Sequence, residues 1–258
     1  MKAEALLAFL RTHDLGRRAV LLDECTSTQT LALERARTGA PHGLLVYCEK
    51  QTAGRGRHGR QWLAGEGSLT FSVVLSRGID PAQAHHYSFI AGLAMLRTLA
   101  RHGRAEVQLK WPNDLWWRGV KVGGLLASLE TQPLAIVLGV GLNLSFDPPT
   151  AEPSLRARAG SLDLARIDRA ELLANFLLDL EQQQALYLLD GAAPLLAATR
   201  RALALRGEKV HVSTQDGMLT GTVIDLGDNF NLRLTLTDGH EVQVALGEVW
   251  PFETLSPS

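Results

Sequence analysis

Between two apolar runs that read as strands, residues 51–67 carry five glycines and three arginines, with no apolar repeat of strand or helix period. A loop of this length inside a compact domain has to be held at both ends by regular structure, and such loops generally serve function or move. Gly54, Gly56 and Gly59 let the backbone approach a ligand closely, so that its N–H groups can face anionic oxygens. Arg55, Arg57 and Arg60 add three charges that no nearby acid offsets, and arginine forks suit phosphate and carboxylate. On spacing alone the same run reads equally as a solvated basic loop or a nucleic-acid patch. A Walker A phosphate loop is excluded, because no GxxxxGK[ST] occurs in the chain.

The flanks supply the scaffold. Residues 3–12 read as a helix with Leu6, Leu7 and Leu10 on one face and Gly16 as its stop. Strands are expected at 19–22, 44–47, 69–75, 107–111, 122–130 and 134–144. Helices are expected from Thr26-Ser27-Thr28 to Gly39, and over 82–101 after Pro81. A Pro-rich segment at 145–160, read as flexible, precedes a helical pair that opens on Asp168 and Glu171 in a capping-box pattern. Leu172, Leu173, Phe176, Leu177 and Leu180 form its apolar stripe. From 209 to 250 short alternating runs are punctuated by Asp216-Gly217, Gly227-Asp228-Asn229 and Asp238-Gly239, the turn chemistry of a small β-barrel. The expected class is α+β: a mixed β-sheet domain flanked by helices over 1–206, then a barrel over 207–258.

Composition narrows the class of partner. Lys and Arg number 26 against 27 Asp and Glu, so no global field would draw the chain to nucleic acid or an anionic membrane. Few basic residues besides Lys209 and Arg233 mark the barrel segment. No apolar run reaches the ~18 residues of a membrane span, and the first residues are too charged for a signal peptide. The two cysteines, Cys25 and Cys48, have no CxxC spacing, which argues against zinc and a disulfide framework. A cytoplasmic enzyme is the expectation.

Three further segments carry candidate chemistry. In KWPND, Lys110 to Asp114, Pro112 halts the strand and aims Asn113 and Asp114 from its end; a simple Asn-Asp turn is the competing reading. One of Trp116 and Trp117 is expected in the core and one on the surface. Lys121 follows, and Gly123-Gly124 weakens its strand unless something packs closely there. In LGVGLN an otherwise apolar strand ends on Asn143, which either meets a ligand or bonds its own turn. Ser27, Thr28 and Gln29 open a helix, where hydroxyls cap and ligands also bind.

Together, CEKQTAGRGRHGRQW, LKWPNDLWWRGVKVGGLL and LGVGLNL, in that order, resemble the biotin–protein ligase family. The resemblance runs from about Leu22 to the C-terminal segment. It implies a class II synthetase-like catalytic domain with an SH3-like C-terminal domain. The implied activity uses ATP and Mg²⁺ to form biotinyl-5′-adenylate and passes biotin to a lysine of a biotin carboxyl carrier protein. Ser27, Thr28, Gln29, Gln51, Gly54, Arg55, Gly56, Arg57 and Lys121 would bind the substrate. Gln29 stands where the family pattern usually has Asn. Arg55, Arg60, Lys110, Asn113 and Asn143 would face the nucleotide, with Lys121, Arg57 and Asp114 in catalytic roles. The resemblance supplies no metal ligands. The short stretch before the first strand suggests the single-function form, which binds no DNA operator, and a homodimer is compatible with it. A lipoate–protein ligase, with the same adenylation chemistry, is the nearest alternative.

Overall fold

The computed structural model describes residues 1–145 and 159–252. Most of the Pro-rich segment expected at 145–160 lies outside the described residues.

A seven-stranded mixed sheet forms the frame. Its strands are β1 (Ala19–Cys25), β2 (Leu45–Gln51), β5 (Ser68–Leu75), β6 (Gln108–Lys110), β7 (Asp114–Trp117), β8 (Val120–Thr131) and β9 (Leu134–Asn143). They lie in the order β1-β2-β5-β9-β8-β7-β6. β1 and β2 pair in parallel, and every other neighbour is antiparallel. Alternate residues of a strand point to opposite faces, and here the two faces differ. Ile136, Leu138, Val140 and Leu142 of β9, with Phe71 and Val73 of β5, enter the main core. That core also takes residues from α1 (Ala3–Phe9), α3 (His86–Arg101), α4 (Arg169–Asp190) and α5 (Ala192–Ala202). Ala135 and Val137, with Val74, face the other way and form a small core with Ala32 and Ala36 of α2 (Thr28–Arg37).

The five stripe residues of α4 are all fully buried, and Asp168 caps the helix by accepting from the Ala170 and Glu171 amides. α1 ends three residues earlier than expected and leaves Leu7 exposed. The Glu181 carboxylate collects the amides of His13, Asp14 and Leu15, which draws the chain out of the helix. The aperiodic stretch contains a hairpin, β3 (Gly54–Arg55) with β4 (Gln61–Trp62), around a 3-10 turn at Arg57–Gly59.

β7 was not expected. Residues 111–113 return the chain tightly from β6, so Asp114 lies within a strand rather than beyond a sheet end. Both tryptophans are buried, contrary to the core-and-surface split. Arginine supplies the reason at Trp117, whose ring is covered by the guanidinium groups of Arg104 and Arg118 at 5.3 and 4.3 Å.

The C-terminal strands β10 (Lys209–Thr214), β11 (Gly217–Leu226), β12 (Leu232–Leu236), β13 (Glu241–Val244) and β14 (Glu248–Pro251) form an antiparallel sheet in the order β13-β12-β11-β10-β14. The architecture is SH3-like, and its turns fall at the expected Gly pairs. Among the described residues its ladder runs from β13 to β14 without a closing pair. The sheet is fastened to the main frame by Trp111, whose indole N–H donates to Phe230 O at 3.0 Å, and by Phe230 stacking on Phe89.

His86 lies in the same joint. Tyr187 donates to Gln83, which leaves its oxygen to accept from His86 Nδ1 at 2.8 Å, and Phe230 covers the imidazole. Burial, helped by His85 and opposed by Asp80, pushes the His86 pKa down from 6.5 to about 4. The fold therefore favours neutral His86, and the stability this adds is complete above pH 6.5 and lost as pH falls toward 4. We expect wild-type unfolding free energy to drop across that window by up to about 3 kcal/mol more than in His86→Gln. Urea titrations at stepwise pH check this, and parallel pH curves for the two proteins would contradict it.

Candidate active site

The face of the sheet that carries α2 changes character along its length. On β9 the residues pointing that way run Ala135, Val137, Gly139, Gly141, Asn143. Beside them β5 offers Val74, Ser72 and Thr70, and β8 offers Ser128, Leu126 and Gly124. Small side chains past the end of α2 leave a hollow, a cavity of about 570 Å³ roofed by the Gly/Arg hairpin and closed on one side by β14. Its volume is in the range of small-molecule sites.

Its inner end is polar and uncharged. Gln51 Oε1 accepts from the Thr28 amide at 2.7 Å, and Ser72 Oγ lies 3.0 Å from both Thr28 Oγ1 and Gln29 Oε1. Gln29 Nε2 donates to Val137 O at 2.9 Å and Ser128 Oγ at 3.0 Å, so the amide is engaged with the sheet. Gly139 makes room for it: a Cβ there would stand 2.4 Å from Gln29 Oε1. Further along, the Trp62 indole lies on Gly141, where a Cβ would stand 2.4 Å from its ring. At the far end Asn143 Nδ2 donates to Gly160 O at 3.0 Å, and its buried Oδ1 has no partner among the described residues. From Gly139 to Asn143 is roughly 13 Å of strand.

The outer wall is charged. Arg55, Arg57, Arg60, Lys110 and Lys121 line the cavity against Asp114 and Glu248, an excess of positive charge suited to an anionic ligand. Asp114 lies between two lysines, with Oδ1 2.6 Å from Lys121 Nζ and Oδ2 3.0 Å from Lys110 Nζ. Burial alone would raise its pKa, but Lys121 and Lys110 outweigh this and hold it below the usual carboxylate range. Burial drives Lys110 down, with Lys121 adding to the effect and Asp114 opposing it. Arg57 is likewise lowered by burial and reaches Asn113 Oδ1 at 3.3 Å. Arg60 pairs with Glu248 of β14. Among the described residues no three His, Cys, Asp or Glu side chains gather to hold a metal.

The description "Biotin/lipoate A/B protein ligase family" matches residues 22–143. The biotin–[acetyl-CoA-carboxylase] ligase of Mycobacterium tuberculosis is 38% identical over 86% of this chain and 85% of its own. The chain belongs to the biotin–protein ligase family. The bifunctional ligase/repressor BirA of Bacillus subtilis is 30% identical over 89% of this ligase and 73% of its own length. A biotin protein ligase from Aquifex aeolicus, solved with biotin and ATP, superposes with a TM-score of 0.77 at 25% identity, covering 91% of this chain and 98% of that one.

Of the residues assigned to substrate, nucleotide or catalysis, the structure brings all to the cavity wall except Gly54, where a Cβ would stand 2.5 Å from Trp62 O; Gly59 and Gly123 do not line it either. Sequence reasoning missed Ser72, Glu248 and Trp250, which line the same cavity. Ser72 carried a usable signal, a hydroxyl on the face of β5 opposite its core residues. Glu248 and Trp250 carried none, because only docking of the second sheet brings them near.

The Gln29–Gly139 contact gives a test. Gly139→Ala should destabilise the ligase by about 1–3 kcal/mol through overpacking. Gln29→Asn, one methylene shorter, should recover part of that loss in the double variant. Additive effects in a double-mutant cycle would show that the two positions do not meet.

Proposed function

We propose that this protein activates biotin with ATP as biotinyl-5′-adenylate and transfers the biotin to a lysine of a biotin carboxyl carrier protein. The observation that carries the reading is the order of the cavity: an uncharged polar end at Thr28 and Gln51, a Gly-floored middle under Trp62, and a cationic end at Lys121 and the arginines. That order suits a ligand with a polar head, an apolar chain and a carboxylate. A lipoyl group has no polar head to satisfy Thr28 and Gln51, and the Mycobacterium tuberculosis relative and the Aquifex aeolicus structure are named as biotin ligases. In this reading residues 1–206 form the catalytic domain and 207–258 the SH3-like domain.

Ser27, Thr28 and Gln51 receive the head group, and Gln29 sets the floor beneath it. Biotin's carboxylate is ionised at neutral pH, with carboxylates titrating near ~4, so adenylation needs no general base. It needs two repelling anions held together while charge builds at the α-phosphorus. Lys121 and Arg57 supply that field, with Arg55 and Arg60 on the phosphates and Asn113 and Asn143 toward the base. Both cavity acids are ion-paired, so the side chains do not fit a dedicated Mg²⁺ site. The ion would enter with the nucleotide, as Mg²⁺ commonly does. Transfer then requires a neutral acceptor amine, about a thousandth of free lysine near pH 7.4. Net charge near zero supports catalysis rather than DNA binding. No helix among the described residues is long and apolar enough to cross a membrane, and we assign the work to the cytoplasm.

The direct test supplies biotin, ATP and Mg²⁺ and seeks retained biotinyl-adenylate by mass spectrometry. Adenylate from lipoate but not biotin would overturn the assignment. Lys121→Gln should lower biotin-dependent pyrophosphate exchange a few hundredfold, as expected for losing ~3 kcal/mol of transition-state stabilisation, with the far-UV spectrum unchanged. Normal exchange would remove Lys121 from the chemistry. Arg57→Gly should still form adenylate but release it faster and label bystander proteins such as albumin. Wild-type release in stopped flow would show that Arg57 does not help hold the Gly/Arg hairpin over the adenylate.

A further inference from the structure

The two lysines on Asp114 are held with unequal firmness. Lys110 is 3% exposed, donates to Val249 O at 2.9 Å, and lies 5.4 and 5.1 Å from the ring centres of Trp116 and Trp250. Its ammonium is fixed from three sides. Lys121 is 33% exposed at the side chain and projects into the cavity, with Trp62 5.8 Å away. The two half-reactions make opposite demands on this group. Adenylation offers Lys121 two anions, the biotin carboxylate and the α-phosphate, and both draw it from Asp114. Transfer brings in a lysine ammonium, a cation of the same chemistry and size as the one that has left. Glu248, the other acid of the cavity, is engaged with Arg60.

We infer that Lys110 is a positioning residue for the transfer step: it holds Asp114 in place while Lys121 leaves for the adenylate, so that Oδ1 passes to the acceptor lysine. The exchange orders the reaction. Until an adenylate has drawn Lys121 away, the acceptor's seat is taken; afterwards it is open beside the acyl carbon. The seated ammonium gives one proton to water, and its lone pair attacks the acyl carbon of the mixed anhydride. The C–N bond forms, the acyl C–O bond to phosphorus breaks, AMP leaves with the electron pair, and the second proton goes to solvent. The inference rests on the biotin-ligase reading above and adds an ordering to it.

The experiment uses the full chain with Lys110→Met and three readouts. They are biotin-dependent pyrophosphate exchange, hydroxylamine capture of bound adenylate as biotin hydroxamate, and single-turnover transfer to an unbiotinylated carrier domain. Hydroxylamine is neutral near pH 7 and needs no carboxylate to seat it. Whatever exchange and capture lose with the cavity charge, carrier transfer should fall at least about tenfold further than either, a split that general loss of structure would not produce. Equal losses in all three, or unchanged transfer, would overturn the inference. Should Lys110→Met fail to fold, Asp114→Asn keeps the side-chain shape and should likewise lower transfer at least about tenfold more than exchange; equal losses in the two would count against the inference. Wild-type protein without biotin-dependent exchange would remove the ligase reading itself, an outcome separate from any result on the variants.

Discussion

Strand β9 lies inside the main sheet with both faces covered, and its two sets of alternate residues have opposite tasks. Ile136, Leu138, Val140 and Leu142 enter the helical core, while Val137, Gly139, Gly141 and Asn143 face α2 and the hollow beyond it. A strand can serve both because side chains alternate strictly, so one run fills the core and empties the cavity at once. The core side anchors the strand with fully buried branched residues, and that anchorage makes the glycines opposite tolerable. Gln29 and Trp62 sit where a Cβ would exclude them, so the site is moulded on the missing side chains of this strand.

Charge placement follows the same frame. A buried cation is costly unless paired and hydrogen-bonded. Lys110 meets that condition through Asp114, a backbone carbonyl and two indole faces. Two of those partners, Val249 and Trp250, belong to the C-terminal sheet. Docking of that sheet therefore completes the electrostatics of the cavity as well as its wall, and the Arg60–Glu248 pair ties the Gly/Arg hairpin to the same strand.

Much of this was legible from local chemistry. The α4 stripe, the Asp168 and Ser27 caps and the turn pairs of the C-terminal sheet lie where the sequence places them, because each depends on residues within a few positions of one another. β7 escaped because Pro112 and Asn113 resemble the end of a strand, and only pairing with β6 and β8 on its two sides makes residues 114–117 a strand. Trp116 and Trp117 were misjudged for a related reason: alternation assigns one face to water, but Lys110 lies over the Trp116 ring, and Arg104 and the adjoining Arg118 cover that of Trp117.

The sequence by itself determined the chemistry that could gather here: a Gly/Arg loop between strands, a Lys-Asp pair after a strand, and an Asn at the end of a Gly-spaced apolar run. These follow from residue type and short spacing, and they suffice for the family. Tertiary structure alone decided what each group has to work with. It turned the Gln29 amide into the sheet, set Asp114 between two lysines, and brought Glu248 and Trp250 across from the second sheet. The first and last join residues more than a hundred positions apart, and even the short-range pairs of Asp114 depend on how β6, β7 and β8 pack, which no local pattern encodes.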